Sequence, residues 1–236
     1  MKHPRSRVAK GIAGAATHLL GVLALLAIAV PTSSASPRSV PGPHDDQPAT
    51  THCDTTITGV HGAVINVSAP HTYCLVNLRQ TGAVNVAPGA ALSVTGGSVI
   101  NGAITLVAAK AFTFCNSSTK QGAINSTRGS GFVIIGNGGD GVRRATTCGA
   151  NHIDGAVTLA GNRGGLEVGG NSIVGGLTLS SNMAPLNGSP NENNGTEIEA
   201  NVVTGLTTCS NNIPAPVNDG RKNTFTGGAK GQCASL

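Results

Sequence analysis

The chain has no tryptophan, one tyrosine and four phenylalanines in 236 residues. Surfaces that stack bases or sugar rings use aromatic planes, so this scarcity argues against single-strand nucleic-acid binding and against a sugar-binding platform. Charge is also scarce. Four of the fifteen Lys and Arg lie before Ala35, leaving eleven basic residues against ten acidic ones beyond it. With that near-neutral balance and so few aromatics to stack bases, nucleic acid is not expected as a partner. No G-x-S-x-G elbow, P-loop or H-E-x-x-H motif occurs. The cysteines include no C-x2-C pair, so zinc-ligand spacing is missing and no metal or cofactor is expected. Outside the N-terminus no window sustains the three- and four-residue apolar spacing of a packed helix.

The N-terminus follows a different rule. Lys2, Arg5, Arg7 and Lys10 precede an apolar run from Leu19 to Val30, followed by Ser33, Ser34 and Ala35. This pattern reads as a secretory signal peptide over residues 1–35, cleaved near Ala35. The run is shorter than the roughly 20 residues a membrane span requires, so the mature form carries no span. Residues 36–52 contain Pro37, Pro41, Pro43 and Pro48 and little apolar content, and read as a disordered spacer. Residues 53–236 have uniform composition and form one expected domain, secreted to the exterior or cell surface.

Within that domain a short element recurs. Gly62, Gly82, Gly102 and Gly122 are spaced 20 residues apart, each followed by Ala and a β-branched residue, and the element returns at Gly155, Gly175 and Gly205. Self-similarity at this period, carried by glycine and alternating β-formers, marks a solenoid of stacked parallel strands. A β-sandwich also has many short strands, but gives no reason for one sequence to repeat in register. The expected fold is therefore all-β: a single-stranded right-handed parallel β-helix of eight or nine coils, roughly 40 Å long at the strand spacing.

The repeat also aligns residues not used to find it. Asn151, Asn171 and Asn201 lie four residues before a repeat glycine, and Asn162, Asn182 and Asn212 seven after one. Stacked one strand spacing apart, such amides can hydrogen-bond along the axis. Cys115 and Cys148 each lie seven residues before a repeat glycine, with Val168 and Ile198 in the equivalent place of later coils. Cys53 and Cys74 likewise meet across one coil step, and Cys209 and Cys233 join the last full coil to the C-terminal one. Stacked residues fall inside the Cα window of a disulfide, which gives the pairing 53–74, 115–148 and 209–233.

Two steps exceed the period: 33 residues from Gly122 to Gly155, and 30 from Gly175 to Gly205. Insertions of this kind emerge as loops and are where binding tends to reside. The first carries Asp140, Arg143 and Arg144, which with Asp154 are the candidates for a catalytic group; the alternative is a solvated polar loop. Glu167 and Glu197 occupy equivalent positions and would stack as like charges, able to share a proton or a cation; the alternative is exposed glutamates on the outer face, offset by Arg163. Thr105, Thr158 and Thr178 align as a single rank, whereas an ice-binding surface calls for doubled ranks on a flat face.

The C-terminal third, from Asn151 onward and most clearly in Asn201 to Gly205, Cys209 to Asn212, Pro214 to Pro216, Asn218 to Gly220, Asn223 to Gly227 and Gly231 to Cys233, resembles the ending of small secreted actinobacterial right-handed parallel β-helix proteins. The resemblance implies that fold and an extracellular location and supplies no catalytic residues. The expected function is a non-catalytic scaffold or surface-binding protein, with cell-wall or extracellular polysaccharide, or self-association, as partners. The alternative is a polysaccharide-active β-helix lyase or hydrolase.

Overall fold

The structure, a computed structural model, describes residues 52–137, 148–183 and 195–236. Residues 1–35, expected to be a signal peptide, and all but the last residue of the expected spacer 36–52 fall outside them. Among the described residues the secondary structure is all strand, every strand pairing is parallel, and the strands form a thirteen-stranded sheet A and an eight-stranded sheet B.

Sheet B carries the repeat. Its strands pair in the order Ile65–Val67, Val84–Val86, Ile104–Val107, Ile124–Thr127, Val157–Ala160, Leu177–Ser180, Thr207–Ser210 and Ala229–Gly231, so sequence order is spatial order. The first residues of these strands stack as one continuous rank from Ile65 to Ala229. Each strand step is thus one repeat of the sequence, and eight coils are present, giving a solenoid-like parallel architecture.

Sheet A bends around one long strand, Thr72–Gln80. Its first half pairs with Ala91–Thr95 and its last residues with Val99–Ile100. One arm then runs through Ala111–Phe114, Val133–Ile135, Leu166–Gly169 and Thr196–Glu199. The other runs through Ser118–Thr119, His152–Ile153, Ser172–Ile173, Val202–Val203 and Thr224–Phe225. A typical coil therefore contributes three strands, one to each arm and one to sheet B, and alternate side chains of all three point into a common core.

That core is aliphatic, with Phe112 and Phe114 its largest members. Leu106, Ile124, Leu159 and Leu179 enter from sheet B, Leu92, Val94, Ile135 and Val168 from the first arm, and Ile100, Ile153 and Ile173 from the second. Each layer lies on a near-copy of itself one strand spacing away, which is why a period of about 20 residues satisfies packing throughout.

The corners explain the non-apolar part of the repeat. After five sheet B strands the chain turns through a left-handed residue, Ala108, Arg128, Gly161, Ser181 or Asn211, with φ between 49° and 64°. A left-handed residue at each coil sets the same bend each time, although only one of the five is glycine. The repeat glycines serve another purpose. A Cβ built on Gly102, Gly122, Gly155, Gly175, Gly205 or Gly227 would fall within 3.0 Å of the backbone of the preceding coil's glycine corner. Glycine recurs there because neighbouring coils approach too closely for any side chain.

Two asparagine ladders run inside the corners. Asn151, Asn171, Asn201 and Asn223 form one, each side-chain NH2 donating to the next residue's Oδ1 at 2.8–3.0 Å. Asn162, Asn182, Asn212 and Gln232 form the other at 2.8–3.0 Å. Each receiving oxygen in the second ladder also takes the backbone N–H of the residue before it in the ladder. The same NH2 groups reach carbonyls of the preceding coil, as in Asn182 to Leu159 and Asn201 to Val168. The six asparagines expected to stack do so and are buried; Asn223 and Gln232, which end the ladders, were not part of that expectation.

Disulfides join Cys53 to Cys74, Cys115 to Cys148 and Cys209 to Cys233, with Cα separations of 5.7, 4.5 and 5.2 Å. This is the sequential pairing expected from coil stacking. One alignment behind it needs correction: Val168 and Ile198 stack on Ile135 and, through it, on Phe114, one residue before Cys115. The corner between Phe114 and Gly122 holds one more residue than the corner between Val168 and Gly175, so counting back from the glycine slips by one.

Candidate functional surface

The outward face of sheet B is set by the alternation that fills the core. Asn66, Asn85, Thr105, Asn125, Thr158, Thr178, Thr208 and Lys230 stack in one rank. All eight are exposed or half-exposed. Two residues further along the strands, Val107, Thr127, Ala160, Ser180 and Ser210 form a second rank. The single Thr rank expected from sequence is therefore longer than three residues and is flanked by another that is partly hydroxylic. The first rank runs roughly 34 Å at about 4.8 Å per step.

The pairings of sheet B carry no register shift; the one bulge among the strand pairs lies between Ile57 and Gly59 in sheet A. Seven of the eight residues of the first rank are neutral hydrogen-bonding side chains, and Lys230 stands at the end. Neighbours interact along the rank, Asn85 Nδ2 donating to Asn66 Oδ1 at 3.1 Å. The outward rank of the second arm differs in kind. It mixes Val60, Arg79, Val99, Ser118, His152, Ser172, Val202 and Thr224.

The first arm carries the three described glutamates. Glu167 pairs in register with Glu197, and Glu199 stacks on Gly169. The sequence alternative placed Glu167 and Glu197 in water beside Arg163, and the structure overturns it: they are 3% and 4% exposed, with Glu199 beside them at 0%, while Arg163 is on the surface. Among the described residues Arg221 places a cation beside the glutamates, its Nη1 3.6 Å from Glu199 Oε1. Val217 bridges to Glu197 from the next coil, and Ile134 stacks on the other side of Glu167. Arg221 lies six residues before Gly227, as Glu199 lies six before Gly205, so the repeat does pair them once Gly227 is counted as the next repeat glycine; a repeat read only as far as Gly205 leaves Arg221 without a partner.

Of the catalytic candidates, Asp140, Arg143 and Arg144 lie outside the described residues. Asp154 is half-buried at the corner between the second arm and sheet B, where its Oδ2 accepts the Gln121 N–H at 3.4 Å. That contact ties one coil corner to the next, a structural use of the carboxylate. Among the described residues no group of three or more His, Cys, Asp or Glu is arranged to hold a metal, and no helix is long and apolar enough to cross a membrane. Compared with protein-family models, with curated proteins and with solved structures, the chain matches none.

Proposed function

We propose that this protein is a secreted, non-catalytic β-helix scaffold that binds an extended extracellular surface through the outer face of sheet B. The observation that carries the reading is the in-register rank from Asn66 to Thr208, a rigid row of uncharged hydrogen-bonding groups on a disulfide-stapled frame. Right-handed coiling is the favoured hand for parallel strands joined by crossovers, and agrees with the resemblance of the C-terminal third to secreted actinobacterial β-helices. Export is supported by the Lys2-to-Ala35 pattern and by three disulfides, which persist in oxidising compartments. Adsorption to insoluble surfaces tests the function: Thr158→Tyr and Thr178→Lys should weaken retention severalfold with unchanged thermal stability. Retention equal to the parent chain would contradict it.

A second reading, a polysaccharide-active β-helix enzyme, draws on the stacked Glu167 and Glu197 with Glu199 and Arg221 beside them, and requires that these buried groups be opened to substrate. Two carboxylates side by side can divide acid and base roles when one holds the shared proton. Acidic polysaccharide cleavage abolished by Glu197→Gln, Arg143→Ala or Asp140→Ala would establish this reading in place of the scaffold.

A further inference from the structure

The chemistry of sheet B narrows what its outer face recognises. Resting on the binding-face reading, we propose that the outer face of sheet B binds ice.

Charge and period carry the inference. From Asn66 to Thr208 the first rank holds no ionised group, so the matching surface is a neutral one that both donates and accepts hydrogen bonds. Along the coil axis these groups repeat at about 4.8 Å, and along each strand the two ranks are separated by roughly 6.7 Å, twice the rise per residue. Both repeats approximate those of oxygen atoms on prism faces of hexagonal ice. Thr105, Thr158, Thr178 and Thr208 present a hydroxyl beside a methyl, which anchors a water molecule while leaving its neighbours to order around apolar surface. Parallel pairing without a bulge keeps the rank in register, and internal ladders and disulfides fix it before contact, so little ordering entropy is lost on adsorption.

Crystalline polysaccharide is the competing solid. Sugar rings expose apolar faces that aromatic side chains cover. The described aromatics, Tyr73, Phe112, Phe114, Phe132 and Phe225, all lie outside sheet B, and Phe112 and Phe114 are fully buried. The face offers a ring nothing to stack on.

The test is incorporation of the purified mature chain into a slowly growing ice hemisphere, read as the fraction of protein in ice relative to a non-binding control protein. Crystalline cellulose and chitin are assayed in parallel. Thr158→Tyr and Thr178→Lys perturb the face, and Ser172→Tyr, exposed on the second arm, is the matched control; circular dichroism verifies folding of each. The expected result is severalfold enrichment of the parent and Ser172→Tyr in ice and exclusion of both face variants. Exclusion of the parent from ice overturns the proposal, as does equal incorporation of all folded variants. Retention on cellulose or chitin that the face variants lose, without incorporation into ice, overturns ice as the ligand and leaves the binding face standing. Indifference of every solid to the face variants sinks both.

Discussion

At the scale of single residues, a buried ladder asparagine is costly to replace. Asn182 donates to Leu159 O and Asn212 Oδ1 and accepts from the backbone and side chain of Asn162. Alanine there would strand several buried polar groups, each costing about 1–3 kcal/mol. Asn182→Ala should therefore lower stability by about 3 kcal/mol or more in chemical denaturation, whereas Asn66→Ala, on the surface, should change it by under about 0.5 kcal/mol. The opposite sign is expected at buried threonines. Thr119 and Thr207 are fully buried, and neither hydroxyl has a hydrogen-bond partner among the described residues. Thr207→Val keeps the shape and removes an unpaired hydroxyl, so the denaturation midpoint should rise, by the equivalent of about 1 kcal/mol. The six core asparagines were legible in the sequence because they keep a fixed offset from the repeat glycine. The burial of Glu167 and Glu197 was not. Alternation assigns a strand position to the inner or outer side, but says nothing of what lies over the outer side.

Among elements, the repeat glycine is the joint between coils. Gly155→Ala would place a methyl group against the Gly122 corner, so a loss of about 2–4 kcal/mol is expected from the resulting backbone shift. Substitution at Gly97, where a Cβ meets nothing, strains only its positive φ and should cost less; thermal melts of the two variants compare the effects. The 20-residue period was readable because this corner forbids a side chain from Gly102 through Gly227. The division of sheet A into two arms was not, since strands as short as Ser172–Ile173 carry too few residues to show alternation. The one-residue slip that misplaced Val168 against Cys115 has the same origin: the glycine marks a single corner, and an extra residue at another corner goes unseen.

For the molecule as a whole, stability should be local, because each coil contacts only its neighbours. Replacing Cys209 and Cys233 together by serine should cost about 2–4 kcal/mol, and speed hydrogen exchange in Ala229–Gly231 far more than in Val157–Ala160. Uniform acceleration would mean that the coils unfold as one unit. Two uses of the frame compete, a neutral face on sheet B and a buried acidic group on the first arm, and they occupy different sides of the same coils. The deciding measurement is adsorption to ice, cellulose and chitin by the parent chain, Thr158→Tyr and Glu197→Gln, each verified as folded. We expect the parent and Glu197→Gln to be retained alike on one of these solids and Thr158→Tyr to be lost from it. Retention that survives Thr158→Tyr and disappears with Glu197→Gln would contradict the binding face and move the function to the acidic arm.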